Sequence, residues 1–492
     1  MSKPPATDLL IHIDRRGALQ QQIYAGIRRA ILEGVVEPGT RLPSSRALAS
    51  DLGVSRTTTL LALEQLLAEG YLSARRGSGT YVAGELPDDL PRARAAGPVA
   101  KSSPRPLSRR GAALVATPPA ARRIGGPPRA FRLGTPGLDL FPVRLWAQLS
   151  NRRLRSVTPA QLDYGEAAGL RELREAIADH VGTARGTRAS AEQVFVTSGA
   201  QRGLDVLCRL LLDPGDRAWM EEPGYPGARS ALLGAGARIL PVRVDEEGLD
   251  VDGAARRGSA PRLVFVTPSH QFPLGVPMSL PRRLALLQWA RAARAWVIED
   301  DYDSEFRYGA RPIPCLHGLD ADGRVIYVGS FSKTLFPALR LGFLIVPTDL
   351  HEKMLWARRA AEVHSPRLDQ AVLADFMAGG HFDRHLRRMR AAYGERLEVL
   401  AAATARLCGG ALALRPVWTG LHAVGDLDGV DAERVWHEAA ARGVEVTPLR
   451  QYYFGRGKPA NGLVLGFAPV RPDALTRGME RLAEAIEAAR QP

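Results

Sequence analysis

A chain of 492 residues is too long for one hydrophobic core, so two or three folding units are expected. With 45% hydrophobic and 24% charged residues it has the balance of a water-soluble globular protein, and it holds no apolar run long enough to span a bilayer. The net charge of +14 favours a polyanionic partner, and the three cysteines (Cys208, Cys315, Cys408) form no CxxC and cannot all pair, which fits a reducing compartment.

The opening stretch MSKPPATDLLIHIDRRG has acids where a secretory signal would need an unbroken apolar segment, so a cytoplasmic protein is expected. In LQQQIYAGIRRAIL, Leu19, Ile23, Ile27 and Ile31 recur at a helical spacing and predict an amphipathic helix. Ser44 or Ser45 can cap a second helix running to about Leu52, and Gly53 supplies a tight turn. Ser55 can cap a third, in which Leu60, Leu63 and Leu67 face inward and Gly70 ends the helix. Two short helices across such a turn make a helix-turn-helix, whose second helix enters the major groove by its start. Ser55, Arg56, Thr57 and Thr58 occupy that start and offer one long cationic donor and three hydroxyls to phosphates and base edges. YLSARRGSGTYV then reads as two strands joined by a glycine turn, a wing from which Arg75 and Arg76 point toward DNA. A small helical bundle without a ligand is the alternative that these spacings leave open. Residues 84–130 hold nine of the 36 prolines and nine Arg/Lys against three Asp/Glu. Such a stretch cannot bury enough surface to order itself, and a mobile, partly extended linker is expected.

Residues 131–492 alternate helical stretches with the apolar runs VFVTS, RLVFVTP, AWVIEDD, RVIYVGS and LGFLIVP, which predicts an α/β domain with a mostly parallel sheet. Ser198-Gly199-Ala200-Gln201 fall between a strand and a helix start, where free amides make an anion cradle, a reading compatible with a plain N-cap at Ser198. Tyr225, in EEPGYPG, is placed to stack on a flat ring or simply to pack. In AWVIEDDYDSEF the strand ends in Asp300 and Tyr302, a carboxylate and a hydroxyl that suit the pyridine nitrogen and ring oxygen of pyridoxal 5′-phosphate (PLP). A solvated acidic strand end and a magnesium site are the other readings; no histidine or further acid cluster in the sequence accompanies the pair to favour a metal. In VIYVGSFSKTLFPALRLGF, Lys333 offers an amine that condenses with an aldehyde, and Ser330 and Arg340 are placed to bind a phosphate. Taken alone, Lys333 reads as a surface lysine.

The segments QQIYAGIRRAIL, PGTRLPSSRALA, LGVSRTTT, EGYL and RGSGTYV resemble the GntR-type winged helix across nearly all of residues 10–83. That resemblance implies DNA contacts from Arg41, Ser44, Ser45, Arg46, Ser55, Arg56, Thr57, Thr58, Gly77 and Gly79. The four segments around Ser198, Tyr225, Asp300 and Lys333 together resemble fold-type I aminotransferases over residues 131–492. This implies PLP held by Lys333, Asp300, Tyr302, Tyr225, Gly199, Ala200, Gln201, Ser330 and Arg340, in a homodimer where Tyr164 reaches the neighbour's cofactor phosphate. Two positions depart from that pattern. Phe272-Pro273-Leu274-Gly275 stands where Asn-Pro-x-Gly is common, which removes an asparagine partner of the ring oxygen. Val464 stands where a carboxylate-binding arginine is common; Arg450 is the substitute candidate, or an ordinary exposed arginine.

A winged helix-turn-helix at 8–83, a Pro/Arg-rich linker at 84–130 and an aminotransferase-like domain at 131–492 resemble the MocR/GabR family of bacterial transcription regulators. The resemblance implies a PLP-dependent regulator that binds double-stranded promoter DNA and senses PLP itself, an amine or an amino acid at Lys333, with at most weak transaminase activity. The alternatives are an active aminotransferase with an appended DNA-binding domain, and a DNA-binding protein whose large domain only dimerises it.

Overall fold

The computed structural model describes residues 13–87, 106–117 and 126–490, apart from residues 16, 76, 259, 310–312 and 456. It divides into two compact units, Met1–Pro106 and Leu107–Pro492.

The first unit contains α1 (Leu19–Leu32), α2 (Ser45–Leu52), α3 (Arg56–Ala68), β1 (Leu72–Arg75) and β2 (Gly79–Val82). Ile23, Ile27 and Ile31 are buried on the inner face of α1, with Leu19 half-buried above them. Ser44 is the cap of α2, its hydroxyl accepting from the Ala47 amide at 3.2 Å, and Gly53 closes the helix at φ +63°. Ser55 caps α3 by accepting from Thr58 N at 3.1 Å. The inner face of α3 is phased differently from the expected leucines. Thr59, Ala62, Leu63 and Leu66 are buried, Leu67 is half-buried, and Leu60 is 40% exposed. Thr59 sets that phase: its hydroxyl bonds the carbonyls of Ser45 and Arg56, each at 2.9 Å, which turns the next position about 100° toward solvent. β1 and β2 pair antiparallel from Leu72↔Val82 to Arg75↔Gly79, forming the wing. Arg76 lies outside the described residues.

The stretch expected to be an extended linker contains a helix, α4 (Arg109–Val115), capped by Ser108 and packed on the helix Pro226–Gly234 of the second unit. A capping serine followed by Arg-Arg-Gly-Ala-Ala-Leu-Val supports a helix that the surrounding prolines conceal. Residues 88–105 and 118–125 of the same stretch lie outside the described residues.

The second unit is built on β3 (Val194–Thr197), β4 (Arg217–Glu222), β5 (Arg238–Asp245), β6 (Gly248–Leu249), β7 (Leu263–Val266), β8 (Trp296–Asp301), β9 (Val325–Ser330) and β10 (Gly342–Ile345). They form one sheet in the order β3-β10-β9-β8-β7-β4-β5-β6. The run β9-β8-β7-β4-β5 is parallel, while β10 lies antiparallel between β9 and β3. A second, antiparallel sheet of β11 (Leu412–Leu414), β12 (His422–Leu427), β13 (Thr447–Pro448) and β14 (Gly462–Gly466) follows, in the order β11-β12-β14-β13. No described helix is long and apolar enough to cross a membrane.

This topology decides where chemistry can occur. β3, β4, β7, β8 and β9 all end at one edge of the large sheet, so turns far apart in the chain open into one crevice. The first unit depends instead on a small core centred on α1. Replacing the fully buried Ile27 by alanine is expected to cost that unit ~2–5 kcal/mol. Denaturant unfolding followed by DNA retardation should show that loss, with the second unit's transition unmoved.

Candidate cofactor site and nucleic-acid interface

The end of β8 carries Glu299, Asp300 and Asp301, all buried, with Asp303 two residues beyond. Strand alternation sends the first and third to one face and Asp300 to the other. Glu299 accepts the amides of Leu316 and His317 at 2.9 and 2.8 Å. Asp301 accepts from Arg185 Nε at 2.6 Å and Tyr327 Oη at 2.8 Å; although burial opposes it, the guanidinium holds this carboxyl below the usual aspartate range. Asp300 is different. Asp301 Oδ1 is likewise buried without a partner, but Asp300 accepts no hydrogen bond at either oxygen among the described residues, and burial, reinforced by Asp301, pushes its carboxyl up to about 7.

Lys333 sits in a one-turn helix, Phe331–Thr334, that Ser330 caps at the end of β9. Its Nζ donates to the carbonyl of Gly134 at 2.7 Å. Burial lowers the amine below the ordinary lysine value, against the pull of Asp303 and Asp300. Gly134 takes φ +72°, and a Cβ there would stand 2.9 Å from Nζ. Across β10, Gly199 precedes the helix Ala200–Leu211 at φ +87°, and a Cβ there would stand 3.2 Å from a guanidinium nitrogen of Arg340. Arg340 itself has a left-handed backbone, φ +52°, and donates to the Ser198 carbonyl at 3.3 Å. Gly199, Ala200, Gln201 and Arg340 thus face one another at a helix start whose first amides have no intrahelical acceptor. Ser198 turns its hydroxyl away, to Glu362.

Tyr225 starts the helix Pro226–Gly234 at the end of β4, its hydroxyl 3.5 Å from Gln201 Oε1. Its ring meets Phe272 edge-on at 5.6 Å, and Phe272 in turn packs on Tyr302, His422 and Tyr452. Tyr302 donates to the backbone carbonyl of His270 at 3.0 Å and lies 3.1 Å from that histidine's Nδ1. Burial, with Asp303 and Asp300 nearby, raises its hydroxyl well above the ordinary tyrosine value, so it stays a neutral donor. Sequence reasoning missed His270, Asp303 and His422, whose side-chain ligand atoms lie within 4.8 Å of one another. The expectation that no histidine accompanies the acidic strand end is therefore corrected. The SHQFP turn after β7 was the available signal.

Two expected residues stand apart. Tyr164 is 80% exposed, its ring 6.0 Å from that of His364. Arg450 is exposed, its Nε 3.6 Å from Glu433. Val464 is fully buried in an apolar cluster with Val424, Leu449 and Tyr452.

In the first unit, Arg41, Ser44, Arg46, Ser55, Arg56, Thr57, Gly77 and Gly79 are exposed, and Ser45 and Thr58 half-buried. Ser55 and Thr58 share a hydroxyl–hydroxyl bond of 2.7 Å, so both are partly committed to the cap, while Arg56 and Thr57 carry no such commitment. Gly77 and Gly79 take φ +76° and +121°, which L side chains adopt with strain, and a Cβ at Gly79 would press on the Arg41 guanidinium at 2.9 Å.

Residues 19–82 match the model of the gntR family of bacterial regulatory proteins, and residues 133–482 that of class I and II aminotransferases. A probable rhizopine catabolism regulatory protein of Rhizobium meliloti, MocR, is 41% identical over 97% of this chain and 96% of its own. The chain belongs to the MocR/GabR family of transcription regulators. Its members fuse a GntR-type winged helix to a fold-type I aminotransferase-like domain. A pyridoxine biosynthesis transcriptional regulator of Corynebacterium glutamicum, PdxR, is 34% identical over 95% of this chain and 96% of its own. Among solved structures, the α-aminoadipate aminotransferase LysN of Thermus thermophilus, complexed with N-(5′-phosphopyridoxyl)-L-leucine, superimposes with a TM-score of 0.67 at 30% identity, covering 73% of this chain and 92% of LysN.

This kinship supports a capacity to bind PLP, and the residues present fit that group. The unpartnered Asp300 suits a protonated ring nitrogen, the Gly199–Arg340 cradle suits a phosphate, and the Lys333 amine is subject to the charge of Asp303 and Asp300. The raised acid gives a signed expectation. Without cofactor, an ionised Asp300 disfavours the fold, with a penalty that grows as pH rises from about 4, the ordinary aspartate value, to about 7, and levels off above. Asp300→Asn is therefore expected to stabilise the cofactor-free second unit more at pH 8 than at pH 5, on the order of 1–3 kcal/mol more. Urea unfolding at the two pH values measures it; an equal change at both would contradict it.

Proposed function

We propose that this protein is a PLP-dependent bacterial transcription regulator that binds promoter DNA through its winged helix and senses PLP or a small amino compound at Lys333. The observation that carries the reading is the pairing, in one chain, of an exposed Arg46–Arg56–Thr57 helix-turn-helix surface with a buried, unpartnered Asp300 beside the Lys333 amine. When bound, PLP supplies an aldehyde that captures amines and a ring that draws electrons from them. Lys333 would hold the aldehyde carbon, and Asp300 would hold a proton on the ring nitrogen. Tyr302 would donate to the ring oxygen and Tyr225 would lie against the ring. The amides of Ala200 and Gln201, with Ser330 and Arg340, would hold the phosphate. The exposed Tyr164 would complete that phosphate site in a second copy of the chain, which makes a homodimer part of the proposal. A ligand changes transcription only through unequal affinity for two states of that dimer.

Purified full-length protein supplemented with PLP is expected to show a visible absorbance band that Lys333→Ala loses. A wild-type protein that never develops the band refutes the cofactor reading. On an upstream promoter fragment, Arg46→Ala and Arg56→Ala should each weaken binding and lower the slope of log affinity against log salt by ~1. Retention of the full salt slope in both variants would remove the assigned DNA surface.

A further inference from the structure

The turn after β7 places His270 in a site that none of the cofactor contacts above requires. His270 Nδ1 lies 3.0 and 3.1 Å from the two carboxylate oxygens of Asp303, and both side chains are almost wholly buried, 2% and 1% exposed. The same nitrogen is 3.1 Å from Tyr302 Oη, and the two rings are stacked at 5.7 Å. The chain closes over this group from the other side. Leu421 N donates to Asp303 Oδ2 at 3.2 Å. Gly420, at φ +86°, comes so near that a Cβ would stand 2.1 Å from the His270 ring and 2.6 Å from Asp303. Tyr308 Oη then anchors the Gly420 carbonyl at 2.8 Å.

Against a carboxylate that only accepts, Nδ1 is the His270 nitrogen that carries a proton, whether or not Nε2 carries one as well. That N–H points at Asp303 and at Tyr302 Oη together. A phenol oxygen that accepts from an N–H keeps its own O–H for donation, and Tyr302 here directs it to the His270 carbonyl. Phe272 occupies the position where Asn-Pro-x-Gly sequences place a second donor to the ring oxygen, and its ring offers Tyr302 only an edge-on contact at 6.1 Å.

We propose that His270 and Asp303 are positioning residues that hold the Tyr302 hydroxyl as a donor to the cofactor's ring oxygen, replacing the control that an asparagine at position 272 would exert. Asp303 orients the imidazole, His270 Nδ1–H occupies a lone pair of Tyr302, and the single Tyr302 O–H, bonded here to the His270 carbonyl, is left to turn to the ring oxygen and donate to it. Tyr308, Asp300, Lys333, Glu221 and His422 also face this group; His422, buried and donating Nε2–H to the Pro273 carbonyl at 3.0 Å, stays neutral.

This inference rests on the PLP reading of the site, and its test separates the two. Full-length wild type, Tyr302→Phe, His270→Phe, Asp303→Asn, His270→Asn and the double variant His270→Phe/Tyr302→Phe are loaded with PLP. The pH midpoint of the visible band and the PLP dissociation constant are then read by absorbance. A donor to the ring oxygen favours its anionic form, so losing the donor raises the midpoint. Tyr302→Phe is expected to raise it by about one pH unit, the equivalent of one hydrogen bond. His270→Phe and Asp303→Asn should raise it by part of that and weaken PLP binding severalfold. The double variant should match Tyr302→Phe alone, and His270→Asn, whose amide nitrogen can stand where Nδ1 does, should restore the wild-type midpoint. If His270→Phe does not fold, Asp303→Asn carries the same comparison. Unmoved midpoints in His270→Phe and Asp303→Asn, or a His270→Phe effect that persists in full without Tyr302, would overturn the proposal. A wild type without any band would overturn the PLP reading beneath it.

Discussion

The large unit is organised around one carboxyl that its neighbours leave without support. Four acids crowd the end of β8, and three are held by the fold itself: Glu299 by two amides, Asp301 by Arg185 and Tyr327, Asp303 by His270 and Leu421 N. Asp301 Oδ1 and the nearby Glu305 Oε2 are also buried without a partner, but of these four acids Asp300 alone accepts no hydrogen bond among the described residues, at a cost of about 1–3 kcal/mol. Native folds seldom leave such a group unsatisfied without a use for it. The neighbours explain how the fold tolerates it. Arg185 reaches Asp301 from the end of the helix Arg171–Arg185, fixing the strand end so that alternation must direct Asp300 into the crevice.

The cradle across β10 follows the same logic of cost and placement. Gly199 and Gly134 adopt left-handed backbones and leave room that a side chain would fill, one beside Arg340 and the other beside Lys333. Arg340 carries a steric cost of its own at φ +52°. Neither glycine could carry a side chain without pressing on its cation, the Arg340 guanidinium at Gly199 and the Lys333 amine at Gly134. The winged helix solves a different problem with simpler parts. Its helix starts are capped by Ser44 and Ser55, and those caps leave Arg46, Arg56 and Thr57 projecting at the same helix starts.

What could be read from the chain before folding was the local part. Lys333, Ser330 and Arg340 lie within eleven residues, and Asp300 and Tyr302 within three, so strand-end patterns expose them. The caps at Ser44 and Ser55 and the wing are local in the same sense. The winged helix, the α/β unit and its mainly parallel sheet follow from such patterns added together. Three features escaped. The Leu60 face was misphased because Thr59 is anchored by a carbonyl on the preceding helix, a contact that periodicity within α3 does not contain. The helix α4 was hidden by proline-rich surroundings that mask a short capped segment. His270 met Asp303 and Gly420 only through chain closures of 33 and 150 residues, one joining two strand ends and the other two sheets. Composition reports none of these, because each is set by tertiary packing.

The same distinction bears on how an aminotransferase-like crevice can serve a sensor. The crevice brings together groups that suit a cofactor, yet the wall behind Phe272 is apolar: Val464 on β14 sits beside Val424 on β12, with Leu449 and Tyr452 closing the cluster. A carboxylate pressed against that cluster would be stripped of water with no cation among its described members, a cost that buried valines cannot offset. A ligand amine held at one end only keeps its rotational freedom, and rotational freedom is what an enzyme must remove to align a bond for chemistry. Affinity survives that loss better than rate does, because affinity needs a stable complex and rate needs one orientation. A site with an apolar far wall therefore favours occupancy over turnover, and occupancy is the quantity that a DNA-binding unit in the same chain can read.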